Sequence, residues 1–245
     1  MTSVDLFAVT ADDAQALLAA AESDWSRPVP HCPGWDASEL VGHLGGIFAW
    51  MATIVTTGGP VARADREVPP VDLDERRSWY LAHLEQTLDV LSQTTPDTEV
   101  WTFSSRGENN VGWWRRRLAV ETAIHRWDAE YAVSATAREL NGEVATAGIE
   151  EFVDEFLPGL LAQPTVTGLN GMLHLKATDN QRRWDLDLDA LRASTDIPLS
   201  TPGSGAVIRG TRSDLLLWLT NRESSPRMGI SGQSDIASQW NQLRR

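Results

Sequence analysis

Arg116-Arg117-Leu118-Ala119-Val120-Glu121-Thr122-Ala123-Ile124-His125-Arg126-Trp127-Asp128-Ala129-Glu130 is the stretch on which the reading of this chain turns. It sits within a segment that reads as one helix, from about Gly112 to Val133. Glu121 and His125 are four residues apart, so they stand one above the other on a single helical face. That spacing lets a carboxylate and an imidazole converge on one ion. The same spacing also arises on helices that bind nothing, so a partner from another segment is required.

The partner is found upstream, in Leu40-Val41-Gly42-His43-Leu44-Gly45-Gly46. Asp36-Ala37-Ser38-Glu39 resembles a capping box and opens a helix from about Ala37 to Thr56. Leu40, Leu44, Ile47 and Met51 form its apolar stripe. His43 falls three residues after Leu40 and four before Ile47, on the side that turns inward. Gly42, Gly45 and Gly46 each cost the helix roughly 1 kcal/mol relative to Ala. Close helix approach or access for a ligand would account for them.

Two further helices complete the first half. One runs from roughly Thr10 to Glu22, and one from about Leu73 to Ser92, ended by Thr94-Thr95-Pro96. Four helices with intervening loops predict a bundle. A bundle core is where ligands from facing helices meet, and His43, Glu121 and His125 are the candidate metal ligands. Two imidazoles and one carboxylate leave coordination positions open, the catalytic rather than the structural arrangement. His31, His83 and His174 are poorer candidates by position.

A helix from about Val144 to Leu157, stopped by Pro158-Gly159, bridges to a second unit. Leu173 to Thr178 and Trp184 to Leu188 alternate as strands around an Asp179-Asn180-Gln181 turn. Ala206 to Gly210 reads as another strand, and Thr211 to Thr220 as a helix. The fold class is α+β: a four-helix bundle over residues 1–140 and a small α+β domain over 141–245.

Bulk properties narrow the functions. The net charge of -13 argues against nucleic acid and anionic membrane as partners, since both call for clustered Lys and Arg. An anionic substrate would need a local cationic or metal site. No run reaches the ~18 uninterrupted apolar residues of a membrane span, and the N-terminus lacks the pattern of a secretory signal. These features point to a cytoplasmic protein. The single cysteine, Cys32, excludes an intrachain disulfide and reads as a small buried residue beside a turn. Most of the eleven tryptophans are assigned to packing. One or two of Trp35, Trp50, Trp113, Trp114 and Trp127 would line a cleft.

His31-Cys32-Pro33-Gly34-Trp35-Asp36, followed by Leu40 to Gly45, resembles the opening motif of the mycothiol-dependent maleylpyruvate isomerase family. Arg116 to Glu130 resembles its second motif. The resemblance implies a DinB-like N-terminal bundle and a C-terminal domain similar to sterol carrier proteins. It implies zinc on His43, Glu121 and His125, with mycothiol as thiol cosubstrate. Val120 departs from the pattern, because relatives often carry a second histidine there. The family also uses a C-terminal-domain arginine. Arg222 is the best match for this catalytic role, although relatives commonly have Gly-Arg at that point, and Arg209 is the reserve.

The activity implied is cis–trans isomerisation of maleylpyruvate by reversible addition of a thiolate. A mycothiol S-transferase acting on small electrophiles in detoxification or biosynthesis is the alternative, because it shares the first step. A non-catalytic metal-binding module is the second alternative. Partners are then the thiol and a small-molecule electrophile, with the chain a monomer or homodimer.

Overall fold

A computed structural model describes residues 6–193, 205–222, 228–232 and 234–243. The chain divides into two compact units, 1–144 and 145–245.

The first unit holds α1 (Leu6–Glu22), α2 (Ala37–Thr57), α3 (Leu73–Gln93) and α4 (Val111–Ser134). All four expected helices form, with α1 beginning at Leu6 rather than Thr10. α2 packs chiefly on α3, and α1 on α4. The capping box is real. Asp36 accepts from the Glu39 N–H at 2.9 Å, and Glu39 Oε2 accepts from the Asp36 N–H at 2.9 Å. The far end of α2 closes on Gly58 at φ 75°, a left-handed conformation that glycine adopts without a steric penalty.

Leu40, Leu44, Phe48, Met51 and Ile54 line the buried side of α2. They meet Leu17, Tyr80, Leu84 and Leu118 in one core. Two buried hydroxyls of this core bond backbone carbonyls, whereas Thr122 Oγ1 on α4 is buried without a partner among the described residues. Tyr80 donates to the Ala14 carbonyl at 2.9 Å and Thr87 to the Phe48 carbonyl at 2.8 Å. Among the described residues α2 is the one helix long and apolar enough to cross a membrane, and more than half of it is buried within the protein. Its apolar length is explained by its place in the bundle.

The glycines of α2 divide by role. A Cβ on Gly45 would lie 2.4 Å from Trp79 of α3, and one on Gly42 would lie 3.2 Å from Pro69. A Cβ on Gly46 would meet nothing within 4 Å. Close approach therefore explains the first two. Gly45→Ala gains up to ~1 kcal/mol of helix propensity but overpacks Trp79, at a cost of typically ~1–3 kcal/mol. Its melting temperature is expected to fall, whereas that of Gly46→Ala is expected to rise. Thermal melts of the pair test this, and equal shifts would contradict it.

α5 (Gly142–Glu151) begins three residues before the second unit and passes through one π turn (Phe152–Phe156) into α6 (Leu157–Leu161). Pro158 does not stop the helix as expected. It sits in the first turn of α6, where its missing N–H is not needed. Then follow β1 (Met172–Ala177), β2 (Arg183–Asp187), α7 (Leu188–Ala193), β3 (Ala206–Gly210), α8 (Arg212–Leu219), β4 (Gly229–Gly232) and α9 (Ser234–Gln239). The sheet order is β2-β1-β3-β4. β1 is antiparallel to β2 and parallel to β3, and β4 is antiparallel to β3. Leu173, Leu175, Leu186 and Ile208 are buried on one face, as alternation requires.

Candidate metal centre

α4 carries Glu121 and His125 one turn apart, and α2 brings His43 to meet them. His43 Nε2 lies 3.1 Å from Glu121 Oε1, and His125 Nε2 lies 3.4 Å from the same oxygen. One ligand atom from each residue falls within 4.8 Å of the other two. Metal–ligand bonds of ~2.0–2.2 Å set the donors of a tetrahedral ion ~3.3–3.6 Å apart. The donor set and its spacing therefore fit a single divalent ion. Exposure is graded: 30% for the His43 side chain, 12% for Glu121 and 10% for His125. The His43 side is thus the open one.

The electrostatics keep Glu121 ionised. Burial alone would raise its pKa, but the Arg117 guanidinium and hydrogen bonds from His125 and His43 prevail. They hold the carboxyl well below its ordinary range. For His125, burial alone would favour the neutral ring. Hydrogen bonds with Asp128, Cys32 and Glu121 outweigh it and hold the pKa well above the ordinary value. Placing an ion on Nε2 displaces the proton there, so binding and protonation compete.

Asp128, which the i, i+4 spacing does not pick out, backs the candidate centre. Its side chain is fully buried, and its Oδ2 lies 3.0 Å from His125 Nδ1. The Cys32 thiol donates to the same oxygen at 3.5 Å. A carboxylate behind a ligating imidazole fixes the ring and its tautomer: Nδ1 keeps its proton, and Nε2 is left toward Glu121 and His43. The available signal was positional, because Asp128 lies three residues after His125 and so on the same face.

Cys32, His125 and Asp128 also form a second group within ligating distance. It would use His125 Nδ1, the atom already bonded to Asp128, and Asp128 has no exposed surface. The His43 group has both the access and the free ring nitrogen, so it is the better centre. Cys32 lies at the expected turn, and its backbone bonds Val29 and Trp35. It is half-buried rather than buried, and its thiol faces a carboxylate rather than only apolar neighbours.

Trp50, Trp101, Trp113 and Trp114 pack with one another and with Phe103. Trp35 instead lies beside the donors, its ring centroid 4.8 Å from His43 and 6.2 Å from His125. His31 packs on Trp127 and Tyr131. His83 pairs with Glu67 at 2.8 Å and His174 with Asp185 at 2.5 Å. None of these three histidines belongs to a ligand group among the described residues. Val120 is buried in α4 and stands outside the donor set.

Arg222 belongs to the second unit. Its backbone N–H donates to the Leu217 carbonyl at 2.8 Å and its Nη1 to the Thr220 carbonyl at 2.9 Å. Arg209 is exposed on β3, in register with Lys176 of β1.

Asp128→Asn tests the role assigned to Asp128. An asparagine amide can donate to Nδ1 and so place the ring proton on Nε2, the atom the ion needs. Zinc affinity, measured by chelator competition, is expected to fall roughly 10–100-fold. Equal affinity would remove Asp128 from the centre.

A four-helix bundle with a convergent His/Glu/His set, followed by a mixed-sheet unit, defines the class as a two-domain protein with a candidate ion site in its helical part. Residues 7–130 match the family described as the mycothiol maleylpyruvate isomerase N-terminal domain, and residues 143–238 match the MDMPI C-terminal domain. The chain belongs to the mycothiol-dependent maleylpyruvate isomerase family. Its fold is similar to crystal structures of the mycothiol-dependent maleylpyruvate isomerase and of a histidine-to-alanine mutant of it. The TM-scores are 0.60 and 0.63, with 13% identity over 94% of this chain and 92% of each of those. At that identity the likeness is one of fold. No curated protein matches the chain in sequence.

Proposed function

We propose that this protein is a cytoplasmic, metal-dependent enzyme that uses a low-molecular-weight thiol, mycothiol, to isomerise maleylpyruvate to fumarylpyruvate. The observation that carries the reading is the convergence of His43 Nε2, Glu121 Oε1 and His125 Nε2 with an open side at His43. His43, Glu121 and His125 would hold a zinc ion. When bound, the ion lowers the pKa of a coordinated thiol below its free value of about 8.5 and so supplies thiolate at neutral pH.

The protein's own groups do the rest. Asp128 orients His125, and Trp35 forms an apolar wall beside the donors. Arg222 is assigned to a substrate carboxylate, which a guanidinium can grip with two parallel bonds. In the reaction the thiolate forms a C–S bond to the alkene. The alkene electrons move onto the conjugated carbonyl as an enolate. The former double bond, now single, rotates. The enolate re-forms the alkene in the trans sense and expels the thiolate, so nothing is consumed.

The test is ultraviolet monitoring of maleylpyruvate with protein, zinc and mycothiol. Thiol-dependent conversion to the trans isomer is expected. Conjugation of a bimane electrophile without isomerisation would assign the S-transferase reaction instead. Absence of thiol-dependent turnover on both would leave a metal-binding module.

A further inference from the structure

Glu121 has two carboxylate oxygens, and they have different neighbours. Oε1 faces His43 Nε2 and His125 Nε2. Oε2 accepts from Arg117 Nη2, one turn earlier on α4. Both side chains are nearly enclosed, 13% exposed for Arg117 and 12% for Glu121. We propose that Arg117 is a positioning residue that restricts Glu121 to a single ligating oxygen and so keeps one coordination position free for sulfur. This rests on the metal-site reading above.

The chemistry runs as follows. A carboxylate can bind an ion through one oxygen or both. Binding through both would add a fourth protein contact to a three-residue set, closing the position that a catalytic site keeps open. A guanidinium stays charged across the working pH range. Its bond to a carboxylate is charge-assisted and roughly twice as strong as a neutral one. An exposed Arg–Glu pair at this spacing would contribute little. This pair is enclosed and ends on a candidate ligand. Arg117 also brings positive charge toward a cation, which lowers affinity for the ion. What Arg117 adds at this carboxylate is a fixed partner for Oε2, which leaves Oε1 to face the imidazoles.

The test uses the full-length protein with Co2+ as the probe ion and 2-mercaptoethanol as the probe thiol. Visible absorption of Co2+ separates four-coordinate from higher-coordinate sites, and a bound thiolate adds a near-ultraviolet charge-transfer band. The unsubstituted protein and R117K are expected to show strong four-coordinate absorption and the thiolate band. R117M is expected to show weak, higher-coordinate absorption and to need at least about tenfold more 2-mercaptoethanol for the band. R117Q serves in place of R117M if the latter does not fold, with the same expectation. An unchanged spectrum and thiol titration in the charge-removing variant overturns the role of Arg117 and leaves the metal site standing. Failure of the unsubstituted protein to take up Co2+ overturns the site and the inference together.

Discussion

His125→Ala is expected to purify with only trace metal and to lose thiol-dependent turnover, while its helical circular dichroism is retained. Structural zinc sites with four ligands bind with roughly 10–16 kcal/mol. One ligand of a comparable set is therefore worth ~2.5–4 kcal/mol, or about two to three decades of affinity. His125 should be the most sensitive of the three candidate ligands. It is the least exposed, and it alone is braced by the buried Asp128. His43→Ala and Glu121→Gln should show the same loss to a smaller extent. Glu121→Gln is preferable to Glu121→Ala because it preserves volume and a carbonyl acceptor for Arg117. Elemental analysis of the purified variants supplies the measurement. Full occupancy in any two of them would remove the proposed site.

The parts of this fold that could be read from sequence are those whose determinants are local. α2 is bounded by a capping box of four consecutive residues and by Gly58 at its far end, and its apolar stripe has the helical period. β1 and β2 alternate, and the turn between them, Asp179-Asn180-Gln181, holds Gln181 at φ 63°. α7, β4 and α9 were not anticipated. They are four to six residues long, too short to display a period. β4, Gly-Ile-Ser-Gly, has almost no apolar content to alternate. Its pairing with β3 is set by the sheet rather than by its own residues. Pro158 misled because a proline has opposite effects in the interior and in the first turn of a helix.

The candidate site divides in the same way. Glu121 and His125 share a face of one helix, so their spacing places them together, and bundle packing brings in His43. Asp128 lies on that face too, and weighing i+3 as well as i+4 neighbours would have found it. The meeting of Cys32 with Asp128 spans 96 positions, and no local rule encodes it. Nor does any rule encode which oxygen of Glu121 faces Arg117.

The second large effect concerns Arg126, which neighbours His125 in sequence but faces away from the donors into a buried ion network. Arg126→Met is expected to lower the stability of the helical unit by ~3–5 kcal/mol, the usual cost of breaking a buried ion pair from one side. The Arg126 side chain is 2% exposed. It donates to Asp13 of α1 at 3.1 Å, to Glu130 at 2.9 Å, and to the carbonyls of Arg138 and Glu139 at 2.7 and 3.2 Å. One guanidinium thus joins α1, α4 and the segment after α4. Methionine fills much of the volume but leaves two carboxylates and two carbonyls short of a donor. At ~2–4 °C per kcal/mol for a protein of this size, the melting temperature should drop on the order of 10 °C.

The dependence on pH separates lost charge compensation from lost packing. Burial already pushes the Asp13 carboxyl up, against the pull of Arg126. Burial also acts to raise Glu130, but the backbone and side chain of Arg138, together with Arg126, hold it below its ordinary value. In the native chain Glu130 therefore contributes stability above its unfolded pKa of ~4.3, lost as pH falls through its folded value. Asp13 has the opposite sign, and its ionised form is the costly one. Without Arg126 both carboxyls rise. A group raised above its unfolded pKa favours the folded state at low pH and loses that contribution as pH climbs. The deficit of Arg126→Met should accordingly be largest near pH 7 and shrink toward pH 5, and adding Asp13→Leu should recover part of it. Thermal melts of the single and double variants at the two pH values decide the matter, and a deficit that is unchanged with pH would assign the loss to packing.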